Sequence, residues 1–153
     1  MSHVLAIDLG GTKCSAAVID RKGKIVARRT APVDVASASG PIFQMVQLAN
    51  DLAGGKNPAD AYIAAGVAVP GLVRGNGTVW APNLPGWEKM PLARRLTRSL
   101  GIPVRVESDR NAAVLGRVLA RSGTGQVRRD CVDDRQRHWR RDPEWWVHHS
   151  RCA

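Results

Sequence analysis

A chain of 153 residues, 44% hydrophobic and 24% charged, is about one domain in length and has enough apolar residues to bury a core, which argues against wholesale disorder. Three scattered cysteines (Cys14, Cys131, Cys152) exclude a disulfide framework and a four-cysteine zinc site; no apolar run approaches about 18 residues, and Met1-Ser2-His3-Val4 does not open a secretory leader, so a cytoplasmic protein with no membrane partner is expected. The net charge of +10 arises from 23 Lys and Arg against 13 Asp and Glu, but the cations are mostly Arg and spread along the chain without a basic helical stripe or interleaved aromatics, which argues against nucleic acid as a partner.

Residues 3–8 form a short apolar run ending in an acid, the pattern of a buried strand. Leu9-Gly-Gly-Thr-Lys13 follows, then a second strand over 14–20, a turn at Arg21-Lys22-Gly23-Lys24, and a third strand over 25–30. Three strands joined by tight turns predict an antiparallel meander. A P-loop or dinucleotide fingerprint places its glycines between a strand and a helix, whereas here they lie between two strands, so both readings fail. Adjacent glycines still let backbone N–H groups converge on an anion, with Thr12 adding a hydroxyl, Lys13 a cation, and Asp8 a carboxylate able to hold Mg²⁺ through water. The segment alone reads equally well as a plain Gly-Gly turn.

From Ser39 to Leu52 apolar residues recur at helical spacing, and Gly54-Gly55 ends the run. Residues 61–69 read as a strand buried on both faces, stopped by Pro70-Gly71. Leu72-Val73 and Thr78-Val79-Trp80 flank Arg74-Gly75-Asn76-Gly77 as a hairpin. A short helix follows over 91–100, with Pro91 at its start and Gly101 after its end. A strand over 104–106 leads to a helix opened by Ser108 or Asp109. On local grounds Asp109 is a helix-capping aspartate.

Texture changes after about residue 132. Residues 133–153 hold Trp139, Trp145 and Trp146, three of the five tryptophans, and His138, His148 and His149, three of the four histidines, with no amphipathic period. The histidine pair and Cys152 match no standard metal-ligand spacing. A disordered or misread tail is expected.

Four of these segments, in order, resemble the ROK family of repressors and sugar kinases. Ala6-Ile-Asp-Leu-Gly-Gly-Thr-Lys13 looks like the family's first phosphate loop, and Gly66-Val-Ala-Val-Pro-Gly-Leu-Val73 like its Pro-Gly strand end. Ala81-Pro-Asn-Leu-Pro-Gly-Trp87 looks like its sugar loop, and Glu107-Ser-Asp-Arg-Asn-Ala-Ala-Val-Leu-Gly116 like its catalytic stretch. The resemblance covers residues 3 to about 132, taken as an N-terminal lobe, with 133–153 as a separate non-homologous tail. It implies an α/β lobe of the actin-like ATPase (ribonuclease H-like) fold: a mixed sheet with an antiparallel meander and flanking helices.

The implied function is ATP-dependent phosphorylation of a hexose, glucose or an N-acylated hexosamine. Asp109 matches the catalytic base. Gly71, Asn83 and Ser108 match sugar-side positions, and Asp8, Gly10, Gly11, Thr12 and Lys13 the phosphate and Mg²⁺ side. ATP and Mg²⁺ are the implied cofactors, hexose and ATP the partners, and a homodimer is open to the full-length parent. The chain departs from the family at Ser108, where Asn is usual, at Arg110 in place of a small residue, at Arg117 in place of Glu, and at Arg74 in place of a frequent Asp.

Family members run to roughly twice this length. The second phosphate loop, the Gly-Glu-x-Gly-His motif and the cysteine-rich zinc motif are not among these 153 residues, so the chain on its own is expected to be an inactive fragment. A frameshift near Val132–Asp133, natural or from sequencing, is the expected origin of the tail. Tryptophan has one codon, TGG, which read one base later always gives glycine. In that frame residues 134–142 permit Thr-Gly-(Asn/Ser)-Gly-Ile-Gly-Gly-Gly-Ile, close to the second phosphate loop. A sugar-responsive repressor of the same family is the alternative, disfavoured because the first strand begins at His3 with no helix-turn-helix before it. A non-functional pseudogene product is the other.

Overall fold

The computed structural model describes residues 3–122, with side-chain surroundings as far as Gly116. The expected tail over 133–153, its tryptophans and histidines, and Arg117 as a side chain lie outside the described residues. Met1–Val114 make up one compact unit, and a second begins at Leu115.

The first unit opens with the expected meander. Strands β1 (His3–Leu9), β2 (Lys13–Ile19) and β3 (Ile25–Pro32) pair antiparallel in sequence order. Period-2 alternation sets which way they face: Leu5, Ile7 and Leu9 of β1 and Cys14, Ala16 and Val18 of β2 point into the core. Helix α1 (Gly40–Ala53) follows, with Pro41 in its first turn and Gly54 closing it in the left-handed conformation, φ 63°. Its buried stripe of Ile42, Met45, Leu48, Ala49 and Ala53 lies against the sheet. A one-turn helix α2 (Pro58–Ala61), capped by the Asn57 side chain accepting from the Ala59 N–H at 3.0 Å, was not foreseen from sequence.

Strand β4 (Tyr62–Val69) lies beside β1, parallel to it. A small hairpin of β5 (Leu72–Val73) and β6 (Val79–Trp80) precedes helix α3 (Leu92–Leu100). Leu92, Leu96 and Leu100, one helical turn apart, bury α3 against α1 and against β7 (Val104–Ser108). Strand β7 adds to β4 in parallel, and helix α4 (Asp109–Ser122) leaves its end. The sheet order is β3-β2-β1-β4-β7.

One expectation is corrected. β4 is not buried on both faces: Ile63 is 58% exposed and Gly66 is exposed, while Ala65, Val67 and Val69 are buried. The run of Ala, Gly and Val reads as two-sided burial, yet its open side is lined by Ala64, Gly66 and Ala68, which bury little apolar area wherever they stand.

Candidate functional site

The parallel strands β1, β4 and β7 are adjacent and run the same way, so their carboxyl ends share one edge of the sheet, where open α/β sheets place ligand-binding loops. Register fixes the neighbours. Asp8 pairs with Ala68, which pairs with Glu107; one residue on, Val69 pairs with Ser108. Two inter-strand spacings separate Asp8 from Glu107, about 10 Å between backbones. The loop after β1, the Pro70-Gly71 end of β4 and the Ser108–Asp109 start of α4 are therefore brought to one edge.

Between β1 and β2 the chain turns within Gly10–Thr12, closed by the Gly10 N–H donating to the Lys13 carbonyl at 2.8 Å. A Cβ on Gly10 would stand 3.1 Å from that carbonyl, so the first glycine serves the tight turn. Among the described residues the N–H groups of Gly11 and Thr12 meet no acceptor. Both residues are exposed, so these two amides, rather than that of Gly10, are free for an anion. Asp8 is exposed on the open face, opposite Ser15 of β2. The Ser15 hydroxyl meets that of Thr30 at 2.9 Å, continuing a polar row from Asp8 to the sheet edge.

Gly71 adopts φ 107°, and a Cβ there would come within 2.3 Å of the Trp80 carbonyl. Only glycine passes here without strain. Asn83 rides on a loop that buries every third residue: Ala81, Leu84 and Trp87 are buried while Pro82, Asn83, Pro85 and Gly86 are exposed. The Ala81 N–H donates to the Trp87 carbonyl at 2.9 Å and the Leu84 N–H to the Ala81 carbonyl at 3.0 Å, so Asn83 stands on a pinned loop.

At the start of α4 the capping residue is Ser108. Its hydroxyl accepts from the Asn111 N–H at 3.3 Å, the N3 donor of the helix. Serine caps as asparagine does, which explains why the departure from the family leaves the helix start intact. The cap uses an acceptor lone pair, so the Ser108 hydroxyl proton stays free to donate. The local reading of Asp109 as the cap is corrected. Among the described residues its carboxylate meets only the adjacent Arg110 N–H, at 2.7 Å, and it is exposed at the edge. Sequence reasoning missed Glu107. Its carboxylate accepts from the Ser108 N–H at 3.0 Å and from Asn111 Nδ2 at 2.9 Å, bracing the residues on either side of Asp109.

No group of three or more His, Cys, Asp or Glu able to hold a metal occurs among the described residues. One carboxylate, Asp8, beside free backbone donors suits Mg²⁺ held through water and phosphate oxygens, since that ion keeps most of its waters and takes few protein ligands. A groove of about 390 Å³ lies at the other end of β1 and β4, between His3, Val26, Leu52, Lys56 and Tyr62, and none of the expected site residues lines it. No helix among the described residues is long and apolar enough to cross a membrane.

The chain is similar in sequence and in fold to known proteins. The chain is 30% identical over 134 residues to a glucokinase of Streptomyces coelicolor, a match covering 86% of this chain and 40% of that protein. It is 38% identical over 121 residues to the bifunctional enzyme NanE/NanK of Brucella melitensis, covering 75% and 21%. Among solved structures, a glucokinase from Streptomyces griseus in complex with glucose and AMPPNP superposes with TM-score 0.68 at 30% identity, over 82% of this chain and 38% of that one. The chain thus spans well under half the length of these relatives, and its sheet and helices are those of the actin-like ATPase fold. Residues 4–127 match the ROK family description, and the chain belongs to that family.

Proposed function

We propose that this chain carries the sugar-side and first phosphate-side groups of an ATP-dependent hexose kinase acting on glucose or an N-acylated hexosamine. The observation that carries the reading is the register: Asp8, the Pro70-Gly71 turn and Ser108–Asp109 end three adjacent parallel strands at one edge. The Streptomyces griseus relative, solved with glucose and AMPPNP, supports both ligand classes.

A sugar hydroxyl is a poor nucleophile. Asp109, exposed and relieved of capping duty by Ser108, accepts its proton as the phosphoryl group leaves the nucleotide. Asn83 bonds sugar hydroxyls with one acceptor and two donors, Ser108 offers its free hydroxyl proton, and Gly71 lets the ring approach the backbone. The Gly11 and Thr12 amides and Lys13 receive phosphate oxygens, and Asp8 would hold Mg²⁺ through water. When bound with the nucleotide, that ion neutralises charge on the phosphate oxygens.

Two measurements test this. Sugar titrated into the 153-residue chain should bind, with Asn83→Ala weakening binding by about 0.5–1.5 kcal/mol; a chain that binds no hexose removes the proposal. In a coupled ADP-release assay the same chain should give no turnover, because the groups that align the γ-phosphate from the second phosphate loop are not among its residues. Robust turnover, abolished by Asp109→Asn, would instead show that these residues suffice.

A further inference from the structure

The β5–β6 hairpin bears two large apolar side chains that the core leaves out: Leu72 is 66% exposed and Trp80 45%. They are cross-strand partners, so they share one face of the hairpin, while Val79, the preceding residue on β6, is fully buried on the other. The backbone around Trp80 is pinned on both sides. Val79 exchanges two hydrogen bonds with Met90, at 2.8 and 3.0 Å, and Ala81 donates to Trp87 at 2.9 Å. The same backbone abuts Gly71, which has room for no side chain beside the Trp80 carbonyl. Asn83 follows three residues later on the loop that Trp87 closes.

An indole left half in water on a rigid backbone is suited to a partner with a flat apolar face. A pyranose ring is such a partner: hydroxyls around its rim, C–H groups on its faces. Asn83 supplies the donors and acceptor that the rim needs. Trp80 has only two side-chain torsions to fix, so stacking costs little conformational entropy. We propose that Trp80, flanked by Leu72, stacks on the C–H face of the sugar whose hydroxyls Asn83 bonds, and so determines sugar affinity at this site. This inference rests on the sugar-kinase reading above.

The test uses the full 153-residue chain, with glucose and N-acetylglucosamine as probes. In ¹⁵N spectra the Trp80 indole N–H signal, identified by its loss in Trp80→Phe, should shift on sugar addition while that of buried Trp87 stays. Trp80→Ala should weaken sugar binding about fivefold, and Trp80→Phe, which keeps an aromatic face, by less than about twofold. The wild-type shift remains decisive if Trp80→Ala does not fold. Sugar binding that leaves the Trp80 signal in place and is unaltered in Trp80→Ala overturns this inference and leaves the kinase reading standing. A chain that binds neither sugar overturns both. A Trp80 signal that responds to protein concentration and not to sugar assigns the surface to self-association and also overturns the inference.

Discussion

Cys14 sits directly beneath the loop that joins β1 to β2, opposite Leu9 and fully buried. Burial first, and the nearby Asp8 carboxylate second, push its thiol from 9.0 up to about 11. Near neutral pH the sulfur is therefore an inert thiol, held as a small core residue. The linkage has a definite sign. The folded chain holds this proton more tightly than the unfolded chain, so the associated stability is whole below pH 9 and is lost as pH rises through about 11. Burial raises Tyr62 in the same direction. Melting temperature should fall as pH climbs above about 9, and Cys14→Ala should flatten part of that fall relative to its own neutral-pH value. Parallel curves for the two proteins would contradict the assignment. Iodoacetamide applied to the native chain should leave Cys14 unmodified until denaturant is added.

Among elements, β3 is the exposed edge of the sheet. Arg28 and Arg29 occupy its middle, pairing with Ala17 and Ala16, and so project from opposite faces. Long cationic side chains on an edge oppose strand addition by another molecule. Replacing both by Val should raise light scattering on storage and on refolding, with little change in the far-ultraviolet spectrum of freshly folded protein. Equal scattering would mean that the edge is protected otherwise. The meander, α1 and α3 were legible in sequence because apolar runs broken by tight turns mark β1 to β3, helical spacing of apolar residues marks α1, and Pro91 and Gly101 bracket α3. Helix α2 was not, since four residues cannot show a period, and Asn57-Pro58 reads equally as a turn. β4 misled because alanine and glycine carry almost no facing signal. The cap of α4 was legible only as a choice between Ser108 and Asp109, because both residue types cap well; geometry decided it.

Across the first unit, residues distant in sequence are tied by Trp87. It is fully buried, and its indole N–H donates to the Ala38 carbonyl at 2.9 Å, joining the Asn83 loop to the segment that leads into α1. Trp87→Phe removes that donor and should lower unfolding free energy by about 1–3 kcal/mol, a large share of the ~5–15 kcal/mol typical of a domain. Chemical denaturation checks this, and an unchanged midpoint would make the bond incidental. At this scale the candidate site was only partly legible. Motifs marked Asp8, Gly71, Asn83 and Asp109 individually, but the meeting of Asp8, Gly71 and Asp109 at one edge depends on β4 inserting between β1 and β7, an order that no local pattern encodes. Glu107 escaped notice because its bracing acts through side-chain geometry rather than through residue type.

Ile7, Val67 and Val106 stand side by side on the three parallel strands, all nearly inaccessible to water. Their amides should be among the slowest in the chain to exchange with deuterium, since releasing one requires parting its neighbours. Asp8, Ala68 and Glu107 come next along those same strands. The loops proposed to meet substrate thus hang from a common anchorage only one to three residues away, and evolution can recut them for a new ligand while the anchorage stays as it is.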